Sequence, residues 1–161
     1  IWYEVDETED AAALFTRLNI GKIPLTSAEL VKAMFLSKSN SDMDSRKQFE
    51  IALQWDNIEK ELHNDSLWYF LTNDSPEKYQ TRIDLVLELM SGKNTNSGEK
   101  YATFFEFDKL RKTKNLNDVW EEIVKNFLLL KDWRENHELY HKIGYLIASG
   151  YKSLSEIYDA S

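Results

Sequence analysis

Apolar residues recur at helical spacing along most of the chain. Between residues 44 and 62 the apolar side chains step by four, three and four, which predicts an amphipathic helix; they are Ile51, Trp55, Ile58 and Leu62. Phe49 and Leu53 lie near this stripe. Similar patterns predict further helices over 6–19, 26–36, 66–71, 81–90, 118–132, 137–149 and 153–158.

Local signals mark the ends of several of these helices. Thr26 and Glu29 have the spacing of a capping box, in which the hydroxyl accepts the N–H of Glu29 and the carboxylate reaches back. Asn117 is expected to cap the helix over 118–132, and Gly92 and Gly150 are expected to end the helices before them. The aromatic stretch 101–110 has no clear periodicity, and its structure is left open.

The pattern alternates only at the start, over residues 1–5, which predicts one short strand. A lone strand needs a partner, so we interpret it as the remnant of a sheet that lies outside this sequence. The expected fold is all-α: an irregular bundle of about seven or eight helices. We expect one helical domain over 1–161, with the strand at 1–5, two helices of a motif over 6–37 and a helical continuation over 38–161.

Composition narrows the possible functions. The chain has 161 residues, no cysteine and a net charge of −8. The absence of cysteine excludes disulfides, thiolate metal sites and a cysteine nucleophile, and it suits a reducing compartment. The negative charge disfavours diffuse attraction to nucleic acid or to anionic lipid, and no apolar stretch approaches the ~20 residues of a membrane span.

Residues 137–141 match the H-E-x-x-H pattern of zinc metalloproteases. His137 and His141 share a helix face and are able to ligate one zinc ion, with Glu138 as general base. A third ligand is required, and Glu156 is the convenient downstream candidate. The charged residues beside the motif instead favour a helix that packs its apolar side on the core and leaves both histidines near the surface.

Two basic clusters are further candidates. Arg17, Asn19 and Lys22 surround a predicted helix end and are able to hold a phosphate or a nucleotide, although the same residues also suit a helix C-terminus. Four cations in six residues form a second cluster, which either contacts DNA or is a solvated connector; they are Lys109, Arg111, Lys112 and Lys114.

The segment that contains the first cluster resembles a known family. Residues 15–33 read FTRLNIGKIPLTSAELVKA, which is similar to the F-x-R-[LI]-N-x-G-x-x-L-[TS]-x-x-E-L-[IV]-K segment of the GmrSD-type restriction endonuclease N-terminal domain family, also described as ParB/sulfiredoxin-like, with one additional residue between Gly21 and Leu25. Looser similarities follow in the expected order, at 55–59, 67–71, 81–83 and 140–147.

This resemblance implies a cytoplasmic, bacterial or archaeal protein of modification-dependent DNA restriction or phage defence. In the family, a D-G-Q-Q-R nucleotide motif lies upstream and an HNH nuclease motif often lies downstream, and this sequence contains neither. The implied parent uses an NTP and a divalent metal, while no cofactor is expected in this fragment. Its expected partners are the ParB-like and nuclease parts of its own chain, with DNA bound only through the parent and no membrane.

The expectation from the sequence is therefore a helical scaffold without catalytic residues of its own. Arg17, Asn19 and Lys22 are the residues that the resemblance places nearest to the site of the intact protein. A zinc hydrolase at His137 and His141 and a non-catalytic protein- or DNA-binding module stay open as alternatives.

Overall fold

The structure is a computed structural model that describes residues 25–38, 43–92, 99–150 and 156–157. Within these ranges the chain is all-α, as the sequence predicts, with seven α-helices and one short 3-10 helix, Pro76–Lys78. The α-helices, numbered α1 to α7 in chain order, are Ser27–Leu36, Ser45–Glu61, Asp65–Leu71, Ile83–Ser91, Ala102–Thr113, Leu116–Glu135 and His137–Ala148. The predicted strand over 1–5 and helix over 6–19 lie outside the described residues.

Helix α1 packs against three other helices of the described bundle. It contacts α2, α4 and α5, while α6 contacts α3, α4, α5 and α7. Seven of the ten α1 residues are apolar, and four large ones are almost completely buried in one continuous core; they are Leu30, Val31, Met34 and Phe35. A helix that is apolar on most of its surface needs neighbours on several sides, which explains these contacts.

Aromatic side chains join the core around Trp120. The indole of Trp120 stacks on Trp55 at 5.9 Å between ring centroids, and the ring of Phe35 meets it edge-on at 5.5 Å. The indole N–H of Trp120 donates to the side-chain oxygen of Gln54, so this buried polar atom is satisfied. Three helices therefore meet at one aromatic cluster.

Several helix ends are capped by side chains from other helices. The carboxylate of Glu59 on α2 accepts the N–H groups of Arg82 and Ile83 at 2.9 Å each, which caps the start of α4. In return, the Arg82 guanidinium donates to the Leu62 carbonyl at the end of α2, at 3.1 Å. At the end of α1, Gln48 of α2 donates to the carbonyl of Ser37 at 2.8 Å and to that of Phe35 at 3.3 Å. These bonds satisfy backbone groups that a helix cannot satisfy internally.

One expectation about the caps is wrong, and two apolar residues of α2 lie outside the core. Phe49 and Leu53, which lie near the apolar stripe, are 65% and 56% exposed. They fall on the side of the helix away from its contacts. Asn117 does not cap α6; the side chain of Asn115 accepts the N–H of Asn117 at 2.8 Å instead, so the helix begins at Leu116. This earlier start buries Leu116, which supplies the physical reason for the shift.

The aromatic stretch that the sequence left open is helical. Helix α5 buries Phe104 and Phe107 on one side, and Phe105 stays partly exposed. Gly92 follows α4 with a φ of 64°, the left-handed conformation expected of a glycine at a helix end. No helix in the described part of the chain is long and apolar enough to cross a membrane.

The interhelical cap at Glu59 gives a stability prediction. Replacement by alanine leaves two N–H groups at the start of α4 without an acceptor, so E59A is expected to lower the free energy of unfolding by about 1–2 kcal/mol. Urea unfolding followed by circular dichroism measures the change. E50A on the same helix is the control, because Glu50 is 52% exposed and pairs only with Lys47 among the described residues. Equal midpoints for the two variants would contradict the capping role.

Candidate functional site

The first described residues of the chain, which follow the basic cluster of Arg17, Asn19 and Lys22, line a polar pocket. Arg17, Asn19 and Lys22 themselves lie outside the described residues. Leu25, Thr26 and Ser27, which continue the same segment, line one wall of a cavity of about 220 Å³. The opposite wall is built mainly by α4 and the segment before it, through Tyr79, Gln80, Asp84 and Glu88, while Lys78, Lys100 and Tyr101 complete the lining.

Hydrogen bonds between neighbouring residues hold the wall of the pocket that α1 contributes. The N–H of Glu29 donates to the Thr26 hydroxyl at 3.2 Å, and the N–H of Thr26 donates to the Glu29 carboxylate at 2.8 Å. Both halves of the predicted capping box are therefore present, and this prediction is confirmed. The box satisfies two of the N–H groups that are exposed at the start of α1.

Asp84 of α4 supplies a third acceptor to the same helix end. Its Oδ1 accepts the N–H of Ala28 at 2.8 Å, and its Oδ2 accepts the hydroxyl of Thr81. The hydroxyls of Thr26 and Thr81 lie 3.5 Å apart, so the two segments also meet through their threonines. The start of α1 is thus bound to α4 by a small buried network of polar groups.

Burial dominates the acid–base behaviour of Asp84. Its side chain is almost completely buried, and the loss of hydration raises the pKa of this carboxyl above its usual range. Hydrogen bonds from Thr81, Ala28 and Thr26 oppose the shift, and the nearby charge of Glu29 adds to it. The helix dipole of α1 also favours a negative charge here, but desolvation is the larger effect.

A second buried carboxylate lies one helical turn further along α4. Glu88 accepts a hydrogen bond from the Tyr79 hydroxyl at 3.2 Å, and it is as deeply buried as Asp84. Burial, and then the charges of Glu88 and Asp74, raise the pKa of the Tyr79 phenol well above its ordinary value. The phenol therefore keeps its proton at neutral pH and acts as a donor.

The arrangement favours positioning over chemistry. Its two carboxylates and its phenol are engaged in hydrogen bonds with neighbouring elements, and Asp84 binds a backbone N–H directly. Among the described residues no group of three or more histidine, cysteine or acidic side chains is placed to hold a metal ion. The hydrogen bonds around the pocket fix where the chain enters α1, shortly after Arg17, Asn19 and Lys22.

Each cation of the second basic cluster forms an ion pair with a carboxylate. Lys109 contacts Glu106 at 2.9 Å and Lys114 contacts Glu122 at 2.7 Å. Arg111 and Lys112 both contact the buried carboxylate of Asp108, at 2.8 and 3.0 Å. A DNA phosphate at this cluster would have to displace a carboxylate from each cation, which lowers the electrostatic gain from binding.

The H-E-x-x-H residues lie on α7, as the spacing predicts. Ile143 faces the core and is fully buried, and Leu139 packs against the core. His141 and Glu138 are exposed, while the side chain of His137 lies outside the described residues. The ring of His141 meets Tyr140 edge-on at 5.5 Å.

Sequence reasoning missed both buried carboxylates of the pocket. A signal for them is present, because Asp84 and Glu88 are four residues apart in a helix whose other residues are almost all apolar. Two acids on one face of such a helix are buried together, and buried acids need partners. Their partners are 56 residues upstream, at Ala28, and nine residues upstream, at Tyr79, which the spacing along the chain does not reveal.

The raised pKa of Asp84 gives a pH prediction. The folded protein binds the proton more tightly than the unfolded chain, so the contribution of Asp84 to stability is largest at acidic pH and declines as pH rises through the folded-state pKa. D84N keeps an oxygen for the Ala28 N–H and does not titrate. The unfolding free energy of the wild type minus that of D84N is therefore expected to increase as pH falls from 7 towards about 4.

Chemical unfolding of both proteins across this pH range measures the difference. D84A removes the acceptor as well and is expected to lower the unfolding free energy by about 1–3 kcal/mol at pH 7. A difference between wild type and D84N that stays constant with pH, or that grows as pH rises, would contradict the argument.

Comparison with known proteins adds no relative. No protein-family model matches the chain, and the searches of curated proteins and of solved structures find no match either.

Proposed function

We propose that the chain is the helical scaffold segment of a GmrSD-like, modification-dependent DNA restriction or phage-defence protein. Its role is to hold the motif segment that contains Arg17, Asn19 and Lys22 in a fixed position relative to the nucleotide-binding and nuclease parts of the parent. The chain has no catalytic residue of its own in this proposal.

The observation that carries the proposal is the buried attachment of α1 to α4. Thr26 lies only four residues after Lys22, so the chain between them spans at most about 14 Å. The capping box and the Asp84 carboxylate fix the start of α1 immediately after this short connection. Residues that position a ligand work best when a rigid element supports them, and α1 has six of its ten residues buried.

Charge supports the assignment of roles within the proposal. Arg17 and Lys22 are suited to neutralise phosphate oxygens, and Asn19 is suited to hydrogen-bond a ligand or to fix the connector. The NTP and the divalent metal belong to the remaining parts of the parent. The partners are those parts of the same chain, and DNA is reached through them.

The proposal predicts a separation between activity and stability. R17A and K22A, made in the complete open reading frame that encodes this chain, are expected to reduce nucleotide-dependent DNA cleavage by at least about tenfold, since each removes a charged contact to phosphate. The melting temperature is expected to stay unchanged. Cleavage of modified and unmodified DNA by the purified protein, with and without NTP, measures the effect.

K47A is the matched control. Lys47 is a surface residue of α2 that pairs with Glu50 at 3.5 Å, so its loss changes the net charge equally without touching the motif. Cleavage by K47A is expected to equal that of the wild type. If R17A and K22A lose stability in proportion to activity, these residues end a helix and do not contact a ligand, and the proposed role of the segment is wrong.

A further inference from the structure

A second cavity, away from the α1 pocket, is lined by cations from two helices. It has a volume of about 380 Å³ and lies between the end of α2, the start of α3 and the last turns of α6. Lys60 comes from α2, and Lys131 and Arg134 come from α6, one turn apart. The remaining lining residues are Asn57, Glu61, Asn64 and Leu67.

Two of these cations, Lys60 and Arg134, leave much of their hydrogen-bonding capacity unused among the described residues. Lys60 forms no ion pair with any described residue. The Arg134 guanidinium has five N–H donors, yet it makes one hydrogen bond, from Nη1 to the Ser66 hydroxyl at 3.2 Å. Its Nε is buried without a partner among the described residues, and its contact with Glu135 is long, at 3.9 Å. In the described part of the chain, a buried guanidinium N–H without an acceptor, beside the exposed and unpaired ammonium group of Lys60, favours an anionic ligand.

Carboxylates offset only part of this charge. Glu61 contacts Lys131 at 2.5 Å and is the one acidic residue in the lining. Glu135 is 65% exposed, so solvent screens its attraction for Arg134. The contrast with the cluster at 109–114 is clear, because there every cation has a carboxylate partner.

We propose that Lys60, Lys131 and Arg134 bind the phosphate group of a small ligand. The guanidinium of Arg134 offers donors in a planar fork, and the two ammonium groups add point charges on either side of the cavity. Asn57 and Asn64 are amides that suit hydroxyl or further phosphate oxygens. This inference does not depend on the proposed function.

The ligand is compact and hydrophilic, and it is not a nucleic acid. Leu67 is the one aliphatic residue in the lining, so there is little apolar surface to receive a hydrophobic body. The cavity volume is near the lower end of the ~300–1,000 Å³ that is typical of small-molecule sites. An extended polyanion needs a row of unpaired cations, whereas this chain carries a net charge of −8 and places three cations around one small cavity here.

Titration with inorganic phosphate and with pyrophosphate tests the proposal on the whole chain. Isothermal calorimetry and backbone amide NMR are expected to show saturable binding, with shifts concentrated at the end of α2 and the end of α6. K60A and K131M are expected to weaken binding by about tenfold each. K125A is the matched control on α6, since Lys125 lies outside this cavity and is expected to have no effect.

Several results would overturn the inference. They are non-saturable binding at about 10 mM phosphate, equal weakening by K125A and K60A, or tighter binding of a DNA duplex that K60A and K131M abolish. Circular dichroism checks that each variant folds. R134K is a second test that preserves the charge, and it is expected to weaken phosphate binding because a lysine cannot form the planar fork.

Discussion

Buried helix ends need hydrogen-bond partners, and the residues that supply those partners determine much of how the helices of this bundle are positioned. A helix leaves N–H groups unsatisfied at its start and carbonyls unsatisfied at its end. In short helices packed closely together these groups are withdrawn from water, so each one costs free energy unless a side chain reaches it. Here local caps such as Thr26 and Asn115 supply some partners, and neighbouring helices supply others: Asp84 for α1, Glu59 for α4, and Gln48 and Arg82 for the ends of α1 and α2.

The same constraint explains the position of α1. The helix is bonded at its start to α4 and at its end to α2, while its apolar side chains fill the space between them. Hydrophobic burial alone would allow the helix to slide or rotate, because it has no direction. Hydrogen bonds at both ends have direction and remove that freedom. The segment before α1 is therefore attached to a helix whose register is fixed.

The sequence predicts the helices well where its information is local. Apolar spacing identifies the core side of α2 through Ile51, Trp55 and Ile58, and the capping box at Thr26 involves residues only three positions apart. It does not show that Phe49 and Leu53 are exposed, since spacing does not tell which side of a helix has neighbours. It also fails for the partners of Asp84 and Glu59, and for the meeting of Lys60 with Arg134, because those depend on how distant elements pack.

The role proposed for the basic cluster in the first part of the chain has a different basis. Arg17, Asn19 and Lys22 were selected by a resemblance and by their spacing, and their role stays a prediction. The pocket beside Thr26 was not predicted, although an acid pair in the apolar helix α4 is a visible signal for it. Acidic residues are numerous in this chain, so their significance depends on burial, which a sequence alone does not give.

The exchange of bonds between α2 and α4 has a consequence for how the molecule opens. Glu59 of α2 satisfies the start of α4, and Arg82 at the start of α4 satisfies the end of α2, so these two helix ends cannot fray independently. The end of α2 and the start of α4 are therefore expected to open together. The amide protons of these two ends would then exchange with solvent at a common rate, set by the opening of the shared bonds.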